Sequence, residues 1–315
     1  MTKRALVAGG AGFIGSHLCE FLLSKGYEVD VADNLATGRK ENIKHLFGKG
    51  LKWFDVDINN LHILHDPYQE IYNLASPASP IDFERIPEFI LNTGSMGHTS
   101  LLDLARERKA RVLLASTSEV YGDPLEHPQR EEYFGNVNSI GLRSCYDEAK
   151  RFAEAMTMAY HRRFQVDTRI VRIFNTYGPR MRPEDGRMIP NFFVQALSRK
   201  SLTIHGDGKQ TRSLCYVSDM VEGIYSVMQS SEPLPINIGN PVEQSVLQLA
   251  DTVNKLIGNT KAHSFGPGMP DDPKRRCPDI SKAKRVCKWE PKVSLEKGLG
   301  ETLKYFKSQL EAKNT

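Results

Sequence analysis

An unbroken apolar run at residues 5–8 gives way to glycines, and from residue 13 to 25 the apolar positions recur with the period of a helix. Gly26 suits the C-cap of that helix, and residues 27–32 return to a strand-like run. Strand, turn, helix and strand in that order predict a right-handed parallel unit. The alternation continues with strands predicted at 52–55, 70–74, 111–116 and 168–172 and helices at 87–107 and 145–164. The pattern predicts an α/β fold, a doubly wound, parallel, Rossmann-like sheet.

Beyond Pro179 the texture changes. Residues 180–186 are rich in Pro, Asp, Gly and Arg and read as a loop. A helix at 188–199, strands at 202–205 and 211–216 and a turn at Gly239-Asn240-Pro241 follow. A polar, proline-bearing segment at 266–278 and helices at 282–287 and 295–310 close the pattern. The expected division is a Rossmann domain over 1–180 and a smaller C-terminal, mostly substrate-binding subdomain over 181–315, with part of 217–241 returning to the Rossmann sheet. The subdomain would cover the strand ends, where doubly wound sheets bind ligands.

Composition narrows the class. The 315 residues are 40% hydrophobic and 25% charged, enough apolar content for a substantial core. A formal charge of +4 without a long Lys/Arg block speaks against nucleic acid and favours an anionic substrate. The start, Met1-Thr2-Lys3-Arg4, lacks the pattern of a signal peptide, and no apolar run reaches membrane-spanning length; a cytoplasmic protein is expected. Cys19, Cys145, Cys215, Cys277 and Cys287 lack metal-ligand spacing and read as free thiols, with no metal expected. Cys145, beside Tyr146, reads as a packing residue.

The loop Gly9-Gly10-Ala11-Gly12-Phe13-Ile14-Gly15 follows a strand and opens a helix, the setting in which glycines hold a dinucleotide pyrophosphate. Gly9 permits the tight turn, Gly12 the approach of backbone N–H groups, and Gly15 close helix–strand packing. The helix N-terminus adds partial positive charge. Asp33 ends the second strand, where a carboxylate accepts hydrogen bonds from the adenosine ribose and favours NAD over NADP. Arg39 would soften that preference. Asp57 has the position to meet the adenine edge, and Leu74 and Ser76 should pass beside the cofactor. Phe13, Ile14, Asn34 and Thr176 complete the candidate cofactor contacts.

Tyr146 and Lys150 stand at i and i+4 on one helix face. A free tyrosine ionises near pH ~10, but a nearby ammonium and an oxidised nicotinamide favour its phenolate and move it toward a working base. Lys150 would also bond the nicotinamide ribose, and Thr117, at a strand end, would polarise the substrate oxygen together with Tyr146. Glycine loop, hydroxyl and Tyr/Lys pair together point to redox chemistry at a carbon bearing a hydroxyl.

These parts resemble the extended short-chain dehydrogenase/reductase family. Longer strings resemble, within it, the UDP-glucuronate decarboxylases: Ser116-Thr117-Ser118-Glu119-Val120-Tyr121-Gly122-Asp123-Pro124, His127-Pro128-Gln129 and Arg143-Ser144-Cys145-Tyr146-Asp147-Glu148. The same holds for Arg172-Ile173-Phe174-Asn175-Thr176-Tyr177-Gly178-Pro179-Arg180-Met181, Gln210-Thr211-Arg212, Ile238-Gly239-Asn240-Pro241 and Asp271-Asp272-Pro273. The chain departs from the family at Ser139 and Leu142, where prolines are usual, at Phe134 for Trp and at Ala149 for Gly.

The resemblance implies that Tyr146 takes the C4 hydroxyl proton of UDP-glucuronate while C4 hydride passes to tightly held NAD. The carboxylate, then β to a carbonyl, leaves as CO2, and return of the hydride gives UDP-xylose. It implies that Glu119 assists around decarboxylation and that Arg276 sits near the substrate carboxylate, which a guanidinium binds bidentately. Ser118, Asn175, Arg187 and Arg212 are candidates for the nucleotide-sugar. A homodimer through helices 87–107 and 145–164 is implied too, their apolar residues including Leu101, Leu102, Leu104, Met156 and Met158.

Sibling activities share parts of this set. A 4,6-dehydratase would carry Asp where this chain has Ser118. A UDP-sugar 4-epimerase needs Thr117, Tyr146 and Lys150 but neither Glu119 nor Arg276, and is the alternative reading. A cofactor-sensing module would have no need of the Tyr146/Lys150 pair.

Overall fold

The computed structural model describes residues 2–268 and 272–313; Asp271, in one of the strings quoted above, lies outside the described residues. The chain opens with β1 (Arg4–Ala8), α1 (Phe13–Ser24), β2 (Glu28–Ala32), β3 (Leu51–Phe54) and β4 (Glu70–Asn73). Helices α2 (Pro80–Arg85), α3 (Pro87–Asn92) and α4 (His98–Arg108) lead to β5 (Arg111–Thr117), α5 (Ser144–Phe164) and β6 (Thr168–Ile173). Next come β7 (Thr176–Tyr177), α6 (Met188–Leu197), β8 (Thr203–His205), β9 (Thr211–Ser213), β10 (Cys215–Tyr216), α7 (Val217–Gln229) and β11 (Ile236–Ile238). The chain then forms β12 (Glu243–Ser245), α8 (Val246–Ile257), β13 (Ser264–Gly266), β14 (Arg275–Arg276), α9 (Ser281–Cys287) and α10 (Leu295–Lys313).

Seven strands form one parallel sheet in the order β11-β6-β5-β4-β1-β2-β3. Successive side chains of β1 alternate between its faces. Ala5 and Val7 join Val29, Val31 and Ile224 under α1 and α7, whereas Leu6 and Ala8 join Ile71, Val112 and Leu101 under α4 and α5. The strand order reverses between β1 and β4, the position at which such sheets form a ligand crevice. Gly9 turns the chain there with φ +78°, and a Cβ on it would lie 2.7 Å from the Leu74 carbonyl carbon. Only glycine fits that turn so close to a neighbouring backbone.

Three expectations are corrected. The helix at 87–107 is α3 and α4 joined by a π-helical turn over Thr93–Gly97. Gly94 in that turn packs on α5, where a Cβ would meet the Ala149 methyl at 2.7 Å. The run at 211–216 splits: β9 pairs with β12 and β14, whereas β10 turns away to pair with β7. Leu101, Leu102 and Leu104 are buried against their own sheet, with Met156 packed on the same core. On this helix layer the exposed apolar side chains are Leu91, Met96 and Phe152.

The polar segment at 266–278 holds β14, which pairs in parallel with β9. Strand β11 adds to β6 at the sheet edge. A second core gathers α6, α8 and α10, where Phe193 and Phe306 stack with ring centroids 5.3 Å apart. Among the described residues no helix is long and apolar enough to cross a membrane.

Replacing Phe306 with Ala leaves a void beneath Phe193 that the surrounding helices fill only in part. Unfolding in urea should show a loss of about 3–5 kcal/mol for Phe306→Ala, and a loss below about 1 kcal/mol would mean that α10 is not part of this core.

Candidate functional site

Because the sheet is parallel, the loops after β1, β4, β5 and β6 open on the same side. They line a cavity of about 400 Å³ and a smaller one of about 70 Å³. The two share Gly12, Thr37, Leu74 and Ser76, so they are parts of one cleft.

The smaller end is lined by Gly9, Asp33, Asn34 and Asp57. Asp33 accepts hydrogen bonds from the backbone N–H groups of Ala11 and Leu35, both at 2.9 Å, which fixes it against the glycine loop. Burial raises its carboxyl, and the two N–H donors work against that rise. Asn34 donates to Asp57 at 2.9 Å. Helix α1 starts at Gly12 without a side-chain cap, so the first-turn N–H groups at Phe13 and Ile14 have no capping partner and sit at the cavity wall. This cradle, with its close-packed glycines and strand-end carboxylate, fits a dinucleotide. Arg39, expected to soften the cofactor preference, has its guanidinium hydrogen-bonded to the Tyr305 hydroxyl at 2.6 Å.

The strand β5 and the helix α5 position the reactive groups. Thr117 ends β5, Tyr146 lies in the first turn of α5, and Lys150 follows one turn later; all three are buried and line the larger cavity. Phe83 stacks on the Tyr146 ring with centroids 5.1 Å apart. Burial pushes the Tyr146 phenol up to about 12, against a hydrogen bond from Thr117 that lowers it. Burial brings Lys150 down to about 8, with Glu154 acting the other way, and its ammonium donates to the Ala115 carbonyl at 2.8 Å. Burial thus shifts both groups toward their neutral forms, and with the phenol at about 12 Lys150 by itself does not bring it toward neutrality.

Next to Thr117, the Glu119 carboxylate receives Arg143 at 2.6 Å and Arg276 at 3.2 Å on the same oxygen. Burial would raise this carboxyl, but Arg276 and Arg143 outweigh it and hold it at about 2. Arg276 is 1% exposed and also donates to the Ser118 carbonyl at 2.8 Å. Sequence reasoning passed over Arg143, Phe83 and Asp147. Arg143 had a signal, since it lies one helical turn before Tyr146; Phe83 had none. The departures Phe134 and Leu142 are exposed, and the segment they occupy ends at Arg143.

The far end of the larger cavity is lined by Asn175, Thr176, Arg187 and Arg212, together with Arg180 and Arg182. Arg187 pairs with Asp185 through both nitrogen arms, and Arg212 reaches Asp272 at 2.7 Å. Every sequence-predicted site residue therefore reaches this cleft. His127, Glu243 and Cys277 approach within 4.8 Å of one another elsewhere. There the Arg275 guanidinium lies 2.7 Å from His127 and 3.1 Å from Glu243, so a cation already occupies that position.

The family model described as GDP-mannose 4,6 dehydratase matches residues 6–302. The chain is 49% identical over 310 residues to UDP-glucuronic acid decarboxylase 1 of Xenopus tropicalis, a match covering 98% of this chain and 73% of the relative. It is 51% identical over 304 residues to UDP-glucuronic acid decarboxylase 3 of Arabidopsis thaliana, covering 94% and 86%. A solved structure of UDP-glucuronic acid 4-epimerase from Bacillus cereus with UDP-glucuronic acid and NAD is similar at TM-score 0.87 and 30% identity, covering 97% and 99%. So is dTDP-glucose 4,6-dehydratase from Bacillus anthracis with NAD, at TM-score 0.87 and 28% identity, covering 98% of each chain.

The depressed Lys150 has a consequence for stability. Between about 8 and its ordinary 10.5 the folded chain binds fewer protons at this site than the unfolded chain. The unfolding free energy therefore rises with pH through that window. Urea titrations should show wild type gaining roughly 1–3 kcal/mol on Lys150→Met between pH 8 and pH 10; a pH-independent difference would mean that the ammonium is not desolvated.

Proposed function

The chain belongs to the extended short-chain dehydrogenase/reductase family, in the branch of the UDP-glucuronate decarboxylases, and on that premise we propose that it converts UDP-glucuronate to UDP-xylose and CO2. The observation that carries the reading is a buried Arg276 beside Glu119, opening on the same cavity as Thr117, Tyr146 and Lys150. An epimerase acting on a neutral nucleotide-sugar has no use for a guanidinium dedicated to a carboxylate. The decarboxylase relatives are also nearer in sequence than the epimerase and dehydratase structures.

When bound, NAD would supply the acceptor for the C4 hydride and the source of its return. The backbone of Gly9, Gly12, Phe13, Ile14 and Gly15 would hold its pyrophosphate, and Asp33 and Asn34 the adenosine ribose, with Asp57 at the adenine. Leu74, Ser76 and Thr176 would border its path, and Lys150 would hold the nicotinamide ribose. Tyr146 takes the proton of the C4 hydroxyl, and the Thr117 hydroxyl bonds the same oxygen. Because burial favours the phenol, its ionisation depends on positive charge placed beside it, from Lys150 and from the oxidised nicotinamide. With a ketone at C4, the C5–C6 electrons enter an enolate as CO2 leaves, and C5 is then protonated.

Glu119 is ionised and anchored by two guanidiniums, so it serves as fixed negative charge that orients Arg276. Ser118, Asn175, Arg187 and Arg212 are placed to bind the nucleotide-sugar. Arginines suit a diphosphate, and those with a carboxylate partner retain further N–H groups for it. The five free thiols support a reducing, cytoplasmic setting. The exposed Leu91, Met96 and Phe152 support a homodimer through the α3, α4 and α5 layer.

Incubation with UDP-glucuronate and NAD, followed by mass, should give CO2 and UDP-xylose without net NADH. UDP-galacturonate with its carboxylate retained would instead mean an epimerase. In Tyr146→Phe, kcat should fall by about 10²–10⁴-fold while NAD still binds. Light scattering should find a dimer; monomer at every working concentration would remove that part of the reading.

A further inference from the structure

Arg143, Arg180, Arg182, Arg187, Arg212 and Arg276 line the larger cavity. Four each pair with a different carboxylate: Arg180 with Glu20, Arg182 with Asp82, which also takes the exposed Arg85, Arg187 with Asp185 and Arg212 with Asp272. Arg143 and Arg276 instead share one oxygen of Glu119. Two guanidiniums on one carboxylate leave this corner of the cavity one negative charge short. It is also the corner nearest the chemistry, because Arg143 stands one helical turn before Tyr146 and over the Phe83 ring that stacks on Tyr146.

We propose that Arg143 is a second substrate-recognition residue: the carboxylate of the nucleotide-sugar supplies the missing anion, bridging Arg143 and Arg276 beside Glu119. The inference rests on the decarboxylase reading and deepens it. A carboxylate has oxygens enough to take one guanidinium on each side, and charge-assisted bonds of this kind are the strong ones. A substrate without a carboxylate leaves the deficit unfilled, so the pair selects a uronic acid over its neutral relatives.

Asp147 sets the condition under which the deficit exists. It is buried in the turn of α5 after Tyr146, and its Oδ1 has no hydrogen-bond partner. The charged groups around it are Glu119 from the turn after β5, Arg143 at the start of α5, Arg276 from β14 and Glu148 on its own helix. Burial, reinforced by Glu119, pushes its carboxyl up to about 7. Protonated, Asp147 leaves the deficit for the substrate; ionised, it fills the deficit itself. Substrate binding therefore weakens as pH rises through about 7.

Calorimetry on NAD-loaded protein in the Tyr146→Phe frame, where ligand is not consumed, tests this with UDP-glucuronate and with UDP-xylose, which differs by lacking the carboxylate. Adding Arg143→Met should weaken UDP-glucuronate by about 10- to 100-fold and UDP-xylose by no more than about 2-fold, with Arg143→Lys between. Binding of UDP-xylose also reports that the site has folded. Parallel weakening of both ligands, or unchanged UDP-glucuronate, would overturn the role of Arg143. From pH 6 to pH 8 the Kd of UDP-glucuronate should rise several-fold and that of UDP-xylose stay flat, with the rise absent in Asp147→Asn. A rise that persists in Asp147→Asn removes Asp147 from the account. Failure of wild type to release CO2 would defeat the decarboxylase reading separately, since these comparisons need no turnover.

Discussion

A single carboxylate, Glu119, gathers two guanidiniums that enter from residues 143 and 276, one ahead of α5 and one on a short strand near the end of the chain. Without that anion the buried Arg276 and the half-buried Arg143 would face each other in a setting of low dielectric, where like charges are costly. The ion pair thus fastens the C-terminal segment across the end of β5. Backbone bonds reinforce it: Gln129 donates to the Cys277 carbonyl at 2.9 Å, and its side chain accepts from the Cys277 N–H at 2.8 Å. The junction holds Glu119, Arg143 and Arg276 in the lining of the larger cavity beside Tyr146.

In the same cavity, burial acts on a phenol and an ammonium in opposite directions on the pH scale and toward the same end. Tyr146 rises and Lys150 falls, so burial shifts each toward its uncharged form before any ligand charge arrives. A reactive phenolate held permanently in a closed cleft would need permanent compensation. Here the compensation is partial, coming from the Thr117 hydroxyl, and the rest depends on what the cleft binds. The geometry of the pair is nonetheless fixed in advance by the helix, by the stacked Phe83 and by the Ala115 carbonyl.

Much of this was legible along the chain. The strand and helix periods predicted the parallel sheet, and the glycine loop, Asp33, Thr117 and the Tyr146/Lys150 spacing all reached one cleft. Three features were not legible, each for a physical reason. The split of 211–216 follows from which strands lie beside it, not from its own residues. The inward direction of Leu101, Leu102 and Leu104 follows from how α4 is rotated on the sheet. Arg39, read as softening the preference that Asp33 sets, has its guanidinium on the Tyr305 hydroxyl, more than two hundred residues away in sequence.

The sequence by itself determined what depends on near neighbours: the order of strands and helices, the glycine turn, and a phenol and an ammonium one helical turn apart. Those patterns are local because hydrogen-bonding period and side-chain spacing repeat over a few residues. Only the tertiary structure decided that Arg143 and Arg276 share Glu119 while the other cavity arginines each pair with a different carboxylate. Charge balance and burial are set by distances between groups far apart in the chain, and no local period encodes those distances.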